Sequence, residues 1–239
     1  MNLRFGSASK FRWHPRWPGC AGAGCSIASS SIVCAGLWWM LGLVALATEN
    51  VVISYQPAAQ LCELQQEKIR ESSGLATSRR NSERFWTHND RGDEPRLFAF
   101  GMDGQHLGTS HVIGAEAADW EDLASFVAAD EAYLAIGDLG DNDLSRAQYT
   151  IYVVKEPVNP KKDSSVERQI DFRYEDGSHD CEALGFDVLR GEFLLAEKCK
   201  APRCRVYALP WPRRSEEGVA KMIAIIDAEF VTAMDISAD

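Results

Sequence analysis

Four short segments of this chain repeat one pattern at nearly constant intervals, and that repetition limits the fold more than any other feature. The segments are Glu71-Ser72-Ser73-Gly74-Leu75, Asp119-Trp120-Glu121-Asp122-Leu123, Asp180-Cys181-Glu182-Ala183-Leu184 and Val231-Thr232-Ala233-Met234, the last followed by Asp235-Ile236. Each places a polar or carboxylate residue, then a small or acidic one, ahead of a Leu or Met that opens an apolar run. Their starts lie 48, 61 and 51 residues apart. Repeats of roughly 40–50 residues match a sheet unit of four strands. The longer middle interval is attributed to a polar, Lys- and Ser-rich loop insertion from Asn159 to Val166.

Each unit also reads internally as strands. Phe85 to His88 is a short aromatic and β-branched run, Arg96 to Phe100 alternates, Asp103-Gly104 marks a tight hairpin, and His106 to Ile113 follows. Tyr133 to Ile136 and Tyr149 to Val154 are strand-like in the second unit, as are Glu192 to Ala196 and Arg205 to Leu209 in the third. Helical periodicity is scarce beyond Leu61 to Ile69, which is read as a linker or first edge strand within 49–69. The expected fold is all-β: an incomplete β-propeller with three four-stranded blades at 70–117, 118–178 and 179–229, and the start of a fourth at 230–239. Closed propellers have roughly 4–8 blades. Three blades leave open edges, so the chain is read as truncated.

The amino terminus has a different character. Residues 17–48 carry no charge, Ile32 to Ala47 is almost continuously apolar, and Arg4, Lys10, Arg12 and Arg16 precede it. Ala45-Leu46-Ala47 has the small-x-small form of a cleavage site. This order of basic, apolar and small residues predicts a signal peptide or an uncleaved signal anchor at 1–48, with an apolar targeting helix. The remainder is then periplasmic, secreted or a membrane-anchored ectodomain, touching the membrane only through that segment. Cys62, Cys181, Cys199 and Cys204 lie in this exported part. The short Cys199-Lys-Ala-Pro-Arg-Cys204 loop is a possible disulfide in an oxidising compartment. Its spacing does not fit a zinc site.

Residues 49–239 hold 21 basic and 35 acidic residues, a net of −14. That balance argues against a nucleic-acid partner, which would need a basic face, and favours cations or cationic ligands. The second strand of each unit ends in polar residues: His88-Asn89-Asp90, Gly137-Asp138-Leu139-Gly140-Asp141-Asn142 and Glu197-Lys198. In an antiparallel sheet, the start of one strand and the end of the next share a side. A ring of Glu71, Asp119, Glu121, Asp122, Asp180 and Glu182 is therefore expected, with Asp90, Asp138 and Asp141 beside it. Such a ring would raise carboxyl pKa values or recruit cations. Calcium suits it and magnesium is the alternative. The plainer reading makes the Asp and Asn residues turn caps, a strong alternative for Gly137 to Asn142.

The set E-S-S-G-L, W-T-H-N-D-R-G-D, D-W-E-D-L-A, G-D-L-G-D-N and D-C-E-A-L resembles a group of uncharacterised exported bacterial propeller proteins, over about residues 70–239. More distantly, the E-x-S-G-L opening is similar to phytase-like esterase propellers, whose acidic loops hold calcium at the channel mouth. The resemblance implies further blades beyond those present here. Three functions remain open at this point. One is a binding protein with a calcium-holding acidic mouth and a small-molecule or protein ligand. The second is a divalent-metal-dependent phosphoester or ester hydrolase, with His88, His179 or Asp122 as catalytic candidates. The third is an inactive fragment. Trp86 and Trp120 are either ligand contacts or core between blades. The chain has no P-loop, dinucleotide fingerprint or G-x-S-x-G nucleophile context.

Overall fold

The computed structural model describes residue 57 and residues 59–200, 203–211 and 217–237. The expected targeting segment and the first part of the 49–69 connector lie outside these residues. Among the described residues the regular structure is entirely β, with twelve strands and no helix.

The strands form three antiparallel meanders of four. The first comprises β1 (Ser72–Thr77), β2 (Arg84–Asn89), β3 (Arg96–Gly101) and β4 (His106–Ile113). The second comprises β5 (Trp120–Ala128), β6 (Glu131–Asp138), β7 (Tyr149–Lys155) and β8 (Ser164–Tyr174). The third comprises β9 (Cys181–Asp187), β10 (Glu192–Glu197), β11 (Cys204–Pro210) and β12 (Gly218–Ile226). Short parallel pairings link the outer strands, β4 to β8 and β8 to β12. The first strands also lie side by side: β5 packs against β1 on one flank and β9 on the other.

Burial follows the repeat. Between the first two meanders, Trp86, Leu97, Ala99 and Val112 meet Leu123, Leu134, Ile136 and Val154. Between the second and third, Phe126, Tyr149, Ile151, Val153 and Phe172 meet Leu184, Phe186, Phe193, Leu195 and Tyr207. Of the opening strands, β9 is buried along its whole length and β5 along most of it, whereas β1, with only β5 beside it, is half-buried. Trp86 and Trp120 are both core residues. Their indole N–H groups donate to Glu156 Oε1 (3.0 Å) and to the Glu116 carbonyl (2.8 Å), as buried indoles require.

Two sequence expectations need correction, and a third narrows. The Asn159–Val166 insertion ends earlier, because β8 already begins at Ser164. There Ile170, Phe172 and Tyr174 are buried while Ser165, Glu167, Gln169 and Arg173 are exposed, a period-two pattern hidden by polar composition. The sequence reading assigned no strand at 218–226, yet β12 runs there. A register shift leaves Ile223 opposite no single partner on β11, which breaks the alternation. The described residues of 59–69 form no strand. Instead the Gln65 amide donates to the Gly104 carbonyl at the β3–β4 turn (3.0 Å).

Candidate metal centre

The three opening strands begin at one end of their sheets, where β2, β6 and β10 finish. Pairings of Ser72 with Asn89, Trp120 with Asp138 and Cys181 with Glu197 fix that geometry. The fourth motif joins them without forming a strand: Met234 and Ile236 lie against Gly185 of β9.

Asp122 occupies the point where these segments meet. It is 1% exposed. Its Oδ1 accepts the Leu123 amide (2.8 Å), and its Oδ2 accepts the amides of Leu184 (2.7 Å) and Met234 (3.3 Å). One carboxylate thus gathers the Leu or Met position of three repeats. Burial pushes its pKa up to about 7, and the three amides oppose that rise. Both oxygens are engaged with main chain, so Asp122 serves as a structural hub. Gly74 of β1 makes the close approach possible. A Cβ there would lie 2.6 Å from the Leu123 nitrogen and 2.5 Å from His88 Nε2.

Glu121, one residue earlier, has the opposite surroundings. It is 4% exposed. Among the described residues no side chain or amide donates to its carboxylate. One of its oxygens and one each from Asp90 and Asp119 lie within 4.8 Å of one another. Gly140 lies against this trio, since a Cβ there would fall 2.4 Å from Glu121 Oε1 and 2.5 Å from Asp119 Oδ2. Burial, and then the charges of Glu182, Asp90, Asp119 and Asp180, push the Glu121 pKa up to about 8. Burial also raises Asp119, with Asp90 adding to it and Arg91 opposing. Arg91 reaches Asp119 only at 3.9 Å and is 66% exposed. Two charges about 5 Å apart repel by about 3 kcal/mol at an effective dielectric of 20. The trio therefore crowds carboxylates with little neutralisation from its neighbours, which favours uptake of a proton or a cation.

The other expected ligands divide into two groups. Glu182 and Asp180 belong to the same electrostatic neighbourhood, and Glu182 is paired with Lys198. Asp180 Oδ1 accepts the Asp141 amide (2.9 Å). Asp138 accepts the amides of Ala118 (3.1 Å) and Asp119 (3.2 Å) and pairs with Arg146 (2.8 Å). Asp141 accepts the amides of Ser145 and Arg146 and the Tyr149 hydroxyl. Burial would raise Asp141, but these donors outweigh it and hold its pKa below the usual range. Asp141 therefore caps the turn that follows it, as the plainer sequence reading described, while Asp138 ties the end of β6 to the start of β5. Glu71 contributes through its backbone, its carbonyl accepting the Asp90 amide (2.9 Å), while its side chain is exposed.

Both histidine candidates are buried. His88 is fully buried, edge-on to Trp120. Burial lowers its pKa, and its Nε2 has no hydrogen-bond partner among the described residues. His179 is held between Asp176 (Nε2, 2.9 Å) and Glu197 (Nδ1, 3.3 Å), with the Tyr207 hydroxyl 2.8 Å from Nε2. Cys199 and Cys204 are joined as a disulfide with Cα atoms 5.5 Å apart, and Cys62 and Cys181 are free thiols. Gly74 and Lys198 were underweighted by sequence reasoning. Lys198 was signalled by its place at a strand end equivalent to Asp90.

No family model matches the chain, and no curated protein matches it. Among solved structures, it is similar to one described as the Dos1 propeller, at 13% identity and a TM-score of 0.39. That match covers 70% of this chain and 40% of the other. It is also similar to the structure of U3-55K, at 10% identity and a TM-score of 0.36, covering 70% of this chain and 57% of the other.

Proposed function

We propose that this chain is a β-propeller segment of three blades plus the opening of a fourth, and that it works as a binding protein with a divalent cation at its acidic mouth. The three meanders with adjacent opening strands support the blade reading. The observation that carries the cation is the Asp90, Asp119 and Glu121 trio, in which one oxygen from each lies within 4.8 Å of the others without a matching set of donors. Calcium fits a loose cage of carboxylate oxygens better than magnesium does, because it tolerates irregular geometry and six to eight ligands. The basic, apolar and small-residue order of the amino terminus supports export, and the Cys199–Cys204 disulfide suits an oxidising compartment.

The reading is tested by following thermal unfolding of the full chain against calcium and against magnesium. A calcium-dependent rise that is lost in Glu121→Gln is expected. Equal midpoints with calcium, with magnesium and with a chelator would contradict it. The hydrolase alternative receives no support from His88, which is fully buried, or from His179, which is held by Asp176, Glu197 and Tyr207.

A further inference from the structure

On the blade reading, we infer that two copies of this chain close end to end into one ring of six sheets, the third meander of each seated on the first meander of the other. The outer strands follow one rule. The end of β4 pairs with the start of β8 (Val112 with Ser164), and the end of β8 with the start of β12 (Phe172 with Gly218). β12 then finishes at Ala224, Ile225 and Ile226 with no strand among the described residues on its side away from β11. β4 begins at His106 and Leu107 with no earlier outer strand beside it among those residues. One chain therefore carries both halves of a further step, at opposite ends of its stack of sheets.

The outward surfaces at those two ends are complementary. On β12, Met222, Ile223 and Ile225 are exposed, an apolar edge of the kind that recruits another chain. Four residues after β12, Phe230 is 52% exposed and has a left-handed backbone (φ 52°), which is strained for a bulky side chain. Its amide donates to the carbonyl of Cys199 (2.9 Å), in the loop closed by the Cys199–Cys204 disulfide. The strain thus serves a position whose ring is left in water. On the first meander, the face turned away from the second holds a groove of about 260 Å³ lined by Leu61, Cys62, Leu75, Phe85, Phe100 and Met102. An apolar cavity of about 150 Å³ already accepts benzene, so the groove has room for a phenyl ring. Within the chain, the same kind of sheet-on-sheet seating already stacks Phe126 of the second meander on Phe186 of the third. Knob and groove are different patches, so the contact is heterologous and forms a ring where the rotation closes. Two copies supply six sheets, inside the roughly 4–8 blades of closed propellers.

The test is sedimentation velocity of the full chain over a concentration series, beside Phe230→Gly and Met102→Glu, with circular dichroism to establish that each is folded. The native chain should run at the mass of two chains with no larger species. Glycine accepts a positive φ, so Phe230→Gly should keep the fold and weaken pairing by more than about tenfold, and Met102→Glu should act in the same direction from the groove side. As a second readout, Phe230→Cys should form a reducible cross-link between copies through Cys62 under mild oxidation, and Phe230→Cys/Cys62→Ser should not. A folded native chain that stays at the mass of one chain at every concentration would overturn the pairing and leave the blade reading intact. A pair that persists unchanged in both Phe230→Gly and Met102→Glu would overturn the proposed seating. An open series of three, four and more chains would overturn the closed ring, and with it the blade reading that sets its number.

Discussion

Glu121 and Asp122 are neighbours on β5, both nearly inaccessible, and both hold pKa values far above the usual carboxylate range because burial disfavours their charge. They differ in what meets them. Asp122 faces three main-chain amides supplied by β5, β9 and the 231–237 segment, whereas Glu121 faces further carboxylates. A register shift against β6 between Trp120 and Asp122 leaves Glu121 as an extra residue on β5, and such a bulge re-aims its side chain relative to that of Asp122. A buried carboxylate surrounded by donors holds a fold together, and one surrounded by its own kind requires a ligand or a proton. The difference between hub and mouth is therefore a difference in donor supply, not in exposure.

Removing the hub should have the largest effect. Asp122→Ala orphans three amides at once and should cost about 3–5 kcal/mol in urea unfolding. Asp122→Asn, which keeps an acceptor, should cost about 1–2 kcal/mol. A loss below 1 kcal/mol for the alanine variant would mean that the amides find other partners. Gly74→Ala comes next, because the new methyl group meets backbone at 2.6 and 2.8 Å as well as His88. A loss of about 2–3 kcal/mol is expected, and stability equal to the native protein would show that β1 and β5 are not so closely apposed.

The mouth should reveal itself through pH. Glu121 has a folded pKa of about 8 against an ordinary 4.5, so the folded state binds the extra proton. Its favourable contribution is complete below about pH 4.5 and is lost as the pH rises through 8. Without a cation the protein should therefore be less stable at pH 8.5 than at pH 5.5, with Glu121 contributing on the order of 2 kcal/mol to the difference. Glu121→Gln should flatten that slope, and an unchanged slope would place the proton elsewhere. Gly140→Ala should have the smallest effect on stability, below about 1 kcal/mol, because its methyl group displaces movable carboxylate ends rather than backbone. It should still weaken calcium binding on the order of tenfold by spreading Asp119 and Glu121 apart.

The same distinction explains how far the sequence could be read. The repeat located the opening strands closely: Glu71, Asp119 and Asp180 each precede the first residue of β1, β5 and β9. Aromatic and β-branched runs marked β2, β6, β7 and β10 for the same reason. β8 and β12 were missed because one alternates mostly polar residues and the other carries a register shift. At the site, the sequence assembled nine acidic residues but could not rank them. Asp138 and Asp141 look like Asp119 in a sequence, and only the folded chain brings Arg146, Tyr149 and several amides to them. Lys198 lay in view at a strand end, but its pairing with Glu182 depends on how β9 and β10 align.

The most direct measurement sets Glu121→Gln beside Asp122→Asn in one calcium titration followed by thermal unfolding. The cation-free Glu121→Gln protein should be more stable than the native protein at pH 8 and gain nothing from calcium, while Asp122→Asn should be less stable and keep the native calcium increment. A calcium increment retained in Glu121→Gln, or one abolished only in Asp122→Asn, would contradict the assignment of mouth and hub.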